Sequence, residues 1–306
     1  TGAYTIIFTY TAPNGASASA QQIVTVIECC EVSSPDIYLP NGSTYTQADL
    51  IAQNPIPNST VFTGLTIWLE GTTTISSSLT FYNCDIYMGP YAKIIVDNDD
   101  EALLTLDSST HVQSCSEAMW QGIYVNRGRI KVLNNSIIED GIEAVVMSQT
   151  GNSSQYEITN STLKNNWYSL ITHLQASGSF YGNTVTNDDP LLIPHFGDGS
   201  FTGILMHQPN NLSIGHTTNN PNTFSNLKYG IVGVDGNFGV FNNVFDNIHD
   251  AMCSGTNMLY DDFSSSCIYA KNTNTTFYNL TVGGATSSLK NIFTNFDNGI
   301  IALRMN

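Results

Sequence analysis

From about residue 119 onward one phrase keeps returning in this 306-residue chain: an apolar residue or pair, an Asn or Asp a few positions on, then a Gly-Ile-like pair. It reads Ile137-Ile-Glu-Asp-Gly-Ile142, Phe224-Ser-Asn-Leu-Lys-Tyr-Gly-Ile231 and Phe293-Thr-Asn-Phe-Asp-Asn-Gly-Ile300. Looser copies are Leu163-Lys-Asn-Asn-Trp-Tyr-Ser-Leu170 and Phe245-Asp-Asn-Ile-His-Asp-Ala-Met252, while Met119-Trp-Gln-Gly-Ile123 and Phe201-Thr-Gly-Ile204 keep only the end. The Gly place is taken in turn by Gly122, Gly141, Ser169, Gly203, Gly230, Ala251 and Gly299, the last interval being long enough for two turns. Such a repeat makes one structural unit per copy, and each unit buries its apolar face only by stacking on its neighbours.

A second phrase sits between the copies of the first: Val132-Leu-Asn-Asn-Ser-Ile137, Ile158-Thr-Asn-Ser-Thr-Leu163, Phe180-Tyr-Gly-Asn-Thr-Val185 and Val240-Phe-Asn-Asn-Val-Phe245, with Phe81-Tyr-Asn-Cys-Asp-Ile86 beside them. Two apolar strands meeting at Asn describe a chain turning a corner, because Asn tolerates the left-handed backbone conformation. Stacked Asn side chains also hydrogen-bond along a ladder. Irregular spacing follows where loops leave the coil at its corners. These features predict an all-β parallel β-helix of roughly ten coils, on the order of 50 Å long at one strand spacing per coil. Ile123, Ile142, Leu170, Ile204, Ile231, Met252 and Ile300 are expected to form one interior stack. A sandwich or propeller would need more Asn-Gly or Asp-Gly hairpin turns than this chain has.

Three regions are expected. Residues 1–32 hold two strands, Tyr4–Tyr10 and Gln22–Ile27, read as a hairpin or sandwich remnant of a separate, partial β domain. Residues 33–64 read as a linker and a helical cap: Ser43 or Thr44 can cap a helix over 45–53, with Tyr45, Ala48 and Ala52 on one face, and Asn54-Pro55 stops it. Residues 65–306 are short strands punctuated by Asn, Gly and Asp, the solenoid proper.

Charge narrows the partners. Nine Lys and Arg face 25 Asp and Glu, a net charge of −16, in a chain only 11% charged. With 14 Phe, 15 Tyr and 3 Trp it is no disordered acidic chain. Clustered cations for phosphate are scarce, so nucleic acid is excluded as a partner. No apolar run spans a bilayer, so membrane insertion is excluded too. The first residues lack the Met and basic segment of a signal peptide. Among six cysteines there is no CxxC or zinc spacing; Cys253 and Cys267 lie close enough in sequence to bridge, several others read as small buried apolar residues, and a disulfide elsewhere stays open because the connectivity is not readable from the sequence.

The passage Phe81-Tyr-Asn-Cys-Asp-Ile-Tyr-Met-Gly-Pro-Tyr-Ala-Lys-Ile-Ile-Val96, then Cys115-Ser-Glu-Ala-Met-Trp-Gln-Gly-Ile123, followed by the Asn…Gly-Ile coils, resembles the right-handed parallel β-helix regions of large surface proteins exported by the bacterial type IX system. Cys29-Cys30-Glu31 after two strands is similar to the end of an Ig- or PKD-like domain in such proteins. The resemblance covers most of residues 30–306. It implies an adhesive or structural role at the cell surface or outside the cell, and it supplies no catalytic residues. Polygalacturonase-type β-helix hydrolases carry Asn-Thr-Asp, Asp-Asp, Gly-His-Gly and Arg-Ile-Lys in that order. Here Arg129-Ile-Lys131 precedes Asp188-Asp189 and Gly215-His216-Thr217, and Asn-Thr-Asp is missing, so stacked coils would not rebuild that site.

The strongest catalytic candidates lie in the longest insertion, where Asp188, Asp189, His195 and Asp198 fall close together, with His207 and His216 on the next coil. Paired carboxylates can hydrolyse a glycoside and a His can act as base, although Asn187-Asp-Asp-Pro190 and Gly197-Asp-Gly199 are also plain turn signals. Asp97, Asp99, Asp100 and Glu101, and separately Tyr260-Asp-Asp262, offer oxygen ligands for calcium without a known calcium-loop spacing; no other cofactor is expected. Trp68, Trp120 and Trp167 read as core. Two functions therefore stand. The first is a non-enzymatic extracellular stalk, spacer or adhesin that meets adjacent domains or subunits of one surface assembly, and glycans or another cell surface. The alternative is a secreted polysaccharide lyase or glycoside hydrolase. The repeats favour the first, and the uncapped last repeat before Arg304-Met-Asn306 predicts that more chain or another subunit covers it.

Overall fold

In a computed structural model of the chain, the described residues are 2–11, 17–26, 32–40, 44–98, 101–147, 154–174, 176–216, 220–250, 265–274, 278–286 and 289–305. Strands Gly2–Thr11 and Ser17–Val26 pair antiparallel as a hairpin. From Ile37 onward the described strands pair only in parallel, in three faces visited in fixed order, and the whole is a right-handed parallel β-helix.

The first face stacks ten strands: Ile37–Leu39, Thr66–Leu69, Asp85–Met88, His111–Ser114, Ile137–Glu139, Thr162–Lys164, Thr184–Thr186, the first part of Asn222–Val234, Asn243–Ile248 and Ile292–Phe296. The second face runs from Thr44–Thr46 through Thr72–Ile75, Lys93–Asp97, Trp120–Arg127, Gly141–Met147, Tyr168–Thr172, Ser200–His207, the rest of Asn222–Val234 and Ser266–Lys271 to Ile300–Leu303. The third comprises the sheet from Val61–Thr63 to Ser177–Tyr181, followed by Asn210–Ile214, Asn237–Val240 and Leu280–Val282. The ladder thus already includes strands in 37–63, the stretch read as linker and cap.

Asparagine makes the corners. Between the first and second faces, Asp140, Asn165, Asn226, Asn247 and Asn295 all have φ between 47° and 61°. Between the third and first faces the left-handed residues include Asn83, Ser109, Asn135, Asn160, Gly182 and Asn242. Asn and Gly pay least for this conformation, so the repeated Asn marks where the chain bends. The residue after the second corner points inward and forms a polar rung. Cys84, Thr110, Ser136, Ser161, Asn183, Asn222, Asn243 and Asn291 follow one another up the rod. Asn222 accepts from the Asn183 N–H (3.0 Å) and donates to the Asn243 side chain (2.8 Å), and Asn291 accepts from the Asn243 N–H (2.9 Å). The Phe of each full phrase stacks on the next: Phe224 on Phe245 at 5.1 Å and Phe245 on Phe293 at 5.2 Å.

The Gly-Ile pair has a steric cause. A Cβ on Gly230 would lie 2.5 Å from the Cys267 carbonyl oxygen of the next coil, and one on Gly122 (φ 134°) would lie 1.7 Å from the Glu143 carbonyl oxygen. The interior stack is Ile123, Val145, Leu170, Ile204, Ile231, Ile268 and Ile300. Two members differ from expectation. A register shift after Gly122 brings Val145 into the rung and turns Ile142 toward an outer apolar cluster. Ile268 takes the rung after Ile231, and Met252 lies outside the described residues.

The helix is Gln47–Gln53, two residues shorter at its start than expected, because 44–46 are needed as a strand. Its cap is Thr46, whose N–H and hydroxyl both donate to the Asp49 carboxylate (2.7 and 2.8 Å). Gln47 and Leu50 face the core, whereas Ala48 and Ala52 are exposed. The Gln47 side chain accepts from Ser76 and Ser77 N–H groups, which pins the helix over the first coil. At the opposite end Ile292, Phe296 and Ile300 are 54%, 39% and 46% exposed.

Cys267 is a free, buried thiol, so the bridge that its spacing from Cys253 allows is not made; Cys84 is also free. Cys115 is disulfide-bonded, and its partner lies outside the described residues, as do Cys29, Cys30 and Cys253. Trp120 is core as expected. Trp68 instead stands on the outer surface against Tyr38, ring centroids 4.5 Å apart.

Candidate functional site

The insertion over 187–199 lies across the outside of the second face. Ile193 bridges to Ala118, accepting from the Met119 N–H (2.8 Å) and donating to the Glu117 carbonyl (3.0 Å). Leu191 is buried in an outer apolar cluster with Met119, Trp167, Phe201, Leu205 and Tyr229. His195 stacks on Trp167, 3.7 Å between centroids and 4° from parallel. Burial of this imidazole lowers its pKa, with Asp198 opposing. The loop is therefore held down by apolar and aromatic contact, in a role the turn residues alone did not disclose.

Its acidic residues are tied into the loop and the corner beneath it, chiefly through their backbone. The Asp188 side chain accepts from the Thr186 hydroxyl (3.1 Å), and the N–H groups of Asp188 and Asp189 both donate to the Asn165 side chain at the first corner. The Asp198 backbone closes the loop on Leu191 and His195. His207 stands against His173, and His216 against the Tyr181 ring. Of the calcium candidates, Asp97 is paired with Arg127 (2.8 Å) and Glu101 accepts from Asn98 (3.3 Å). Asp99, Asp100 and Tyr260–Asp262 lie outside the described residues. Among the described residues no group of three or more His, Cys, Asp and Glu side chains is arranged around a metal position.

A different set of acids lies at the corner of the same coil stack. Glu139 accepts from His111 (2.8 Å), Lys164 (2.9 Å) and Asn165 (3.2 Å), gathering side chains from three successive coils. Burial pushes its carboxyl up, but the hydrogen bonds and charges of His111 and Lys164 outweigh that and leave it lowered. Its neighbour Asp140 is raised to about 7, first by burial and then by the Glu139 charge. Two adjacent carboxyls pushed in opposite directions is how one site holds an acid and a base. In the sequence Asp140 is only the Asn position of a repeat. Its depth, and the pairing of its neighbour, come from the coils stacked on either side.

No protein-family model, curated protein or solved structure matches the chain at a significant level.

Proposed function

We propose that this chain is a rigid, non-enzymatic segment of a larger cell-surface or extracellular assembly, serving as spacer or adhesive rod, as the resemblance to type IX-exported surface proteins implies. The observation that carries the reading is the parallel ladder from Ile37 to Leu303, whose polar interior side chains bond from coil to coil. The insertion residues Asp188, Asp189, His195 and Asp198 support it as well, since their bonds hold a loop in place.

A second reading, a polysaccharide lyase or glycoside hydrolase, is favoured by the oppositely shifted Glu139 and Asp140 with Lys164 alongside. Incubation with pectic, alginate, chondroitin and neutral glycans, with and without calcium, tests the two, with oligosaccharides detected by mass spectrometry. The scaffold reading predicts no products. Turnover that disappears in Asp140→Asn or Asp188→Asn would overturn it and place a catalytic site at the corresponding residue.

A further inference from the structure

Trp68 faces outward, and the register of the first face shows what it belongs to. Tyr38 pairs with Trp68, Trp68 with Tyr87 and Tyr87 with Gln113, so three aromatic rings and an amide stand on four successive coils. Their neighbours Ile37, Ile67, Ile86 and Val112 are buried, which puts the column on the outside of the rod. Tyr38 is exposed, and Trp68, Tyr87 and Gln113 are half-buried. The Tyr38 hydroxyl donates to Glu70 (3.2 Å), whereas the Tyr87 hydroxyl and Trp68 Nε1 have no hydrogen-bond partner among the described residues. Beside Tyr87 lies a cavity of about 470 Å³, a volume suited to a small ligand, with Ser33, Thr66, Ser114 and Ser116 in its lining. Carboxylates border this surface: Glu70 beside Tyr38, Asp36 accepting from the Thr66 N–H (2.8 Å), and Asp85 in register with Thr66. No Lys or Arg belongs to the column or to the cavity lining.

We propose that the column and the cavity form one binding site for a neutral glycan chain lying along the rod axis, with sugar rings against Trp68 and Tyr87 and one end in the hydroxyl-lined cavity. The proposal rests on the adhesive reading of the rod and gives it a place and a ligand class. Successive coils advance by about 4.8 Å, close to the length of one pyranose in an extended chain. Tyr and Trp present an apolar body to the C–H face of a sugar and a polar tip to its hydroxyls. Ser, Thr and Tyr hydroxyls donate and accept, as sugar hydroxyls do. Carboxylates accept from a neutral sugar but repel uronate or sulfate, and recognition of those groups calls for cations that this surface lacks. An added peptide strand is disfavoured, because Thr66–Leu69 and Asp85–Met88 are already paired on both edges.

Calorimetric titration of the full chain with cello-, xylo-, manno- and chito-hexaose should find binding of at least one. Trp68→Ala or Tyr87→Ala should weaken it by about tenfold or more, and Tyr82→Ala, on the third face, should leave it unchanged. An oligogalacturonate of the same length should not bind. Hydroxyl-radical footprinting of the wild-type chain needs no variant: the bound hexamer should protect Trp68 and Tyr87 and leave Tyr82 as reactive as before. Absence of binding to all four neutral hexamers, or binding without protection of Trp68 and Tyr87, would overturn the site and leave the spacer role standing. Tighter binding of the oligogalacturonate would overturn the neutral ligand class. Hexamers recovered in shortened form would overturn the non-enzymatic reading and the proposal with it.

Discussion

Asn222 is buried and bonds in both directions along the rod: its side-chain nitrogen donates to the Phe180 carbonyl and the Asn243 side chain, and its oxygen accepts from the Asn183 N–H. Alanine there would strand these groups in a core without water, at a cost of about 2–4 kcal/mol. Denaturant unfolding of Asn222→Ala measures it, and a loss under about 0.5 kcal/mol would show that the rung carries little. Asp140 shows the opposite economy. Its pKa in the fold, about 7, lies above its ordinary 3.8, so the folded chain binds a proton that the unfolded chain releases. Its contribution is therefore fully present below about pH 4 and is lost as pH rises through about 7. Asp140→Asn keeps an acceptor for the Ser114 N–H and suits the left-handed corner. The variant should gain on wild type by on the order of 2 kcal/mol between pH 4 and pH 8, allowing for the solvent that reaches the group. The lowered Asp297 acts in the other direction at more acid pH and cancels in the wild-type/variant difference, whereas Glu139, whose charge helps raise Asp140, titrates as part of a coupled pair with it. A difference that does not change with pH would refute the assignment.

At the scale of the element, each repeat is a strand, an Asn corner and a Gly-Ile strand, and its glycine is as constrained as its isoleucine. Gly230→Ala must push a methyl into the Cys267 carbonyl and the Phe245 ring, so it should cost about 1–3 kcal/mol by thermal or urea unfolding. An effect near zero would mean that the coil spacing gives way. The Asn corners and most of the Gly-Ile stack are legible because they are local: left-handed propensity and an apolar period lie within a few residues of one another. Val145 in place of Ile142 was not, because a bulge beside Gly122 shifts which side chain faces in, and bulges leave no apolar signature. The helix cap differs for a related reason: Ser43 and Thr44 are good caps, but parallel pairing of Thr44–Thr46 with Thr72–Thr74 holds these residues in a strand, and its last residue, Thr46, becomes the cap. The 187–199 loop carried turn signals, and only the coil beneath it reveals that Leu191 and His195 dock on Met119 and Trp167.

Over the whole molecule, three faces of parallel strands give a rod whose coils touch only their neighbours, so its length and stiffness follow from counting rungs. The count was readable from the repeats. The side chains brought together across coils were not, and both the Glu139–Asp140 corner and the His173–His207 pair are of that kind. Tyr38 and Thr294 stand on the first and tenth strands of the first face, nine strand spacings apart in one register column. At one strand spacing per step their separation is roughly 45 Å. Spin labels on Tyr38→Cys and Thr294→Cys, read by pulsed double electron–electron resonance, measure that separation and its spread. A single narrow distance near roughly 45 Å is the expected result for a rigid ten-coil rod. A broad distribution, or a distance shorter by several coils, would contradict the stacked architecture and the spacer role built on it.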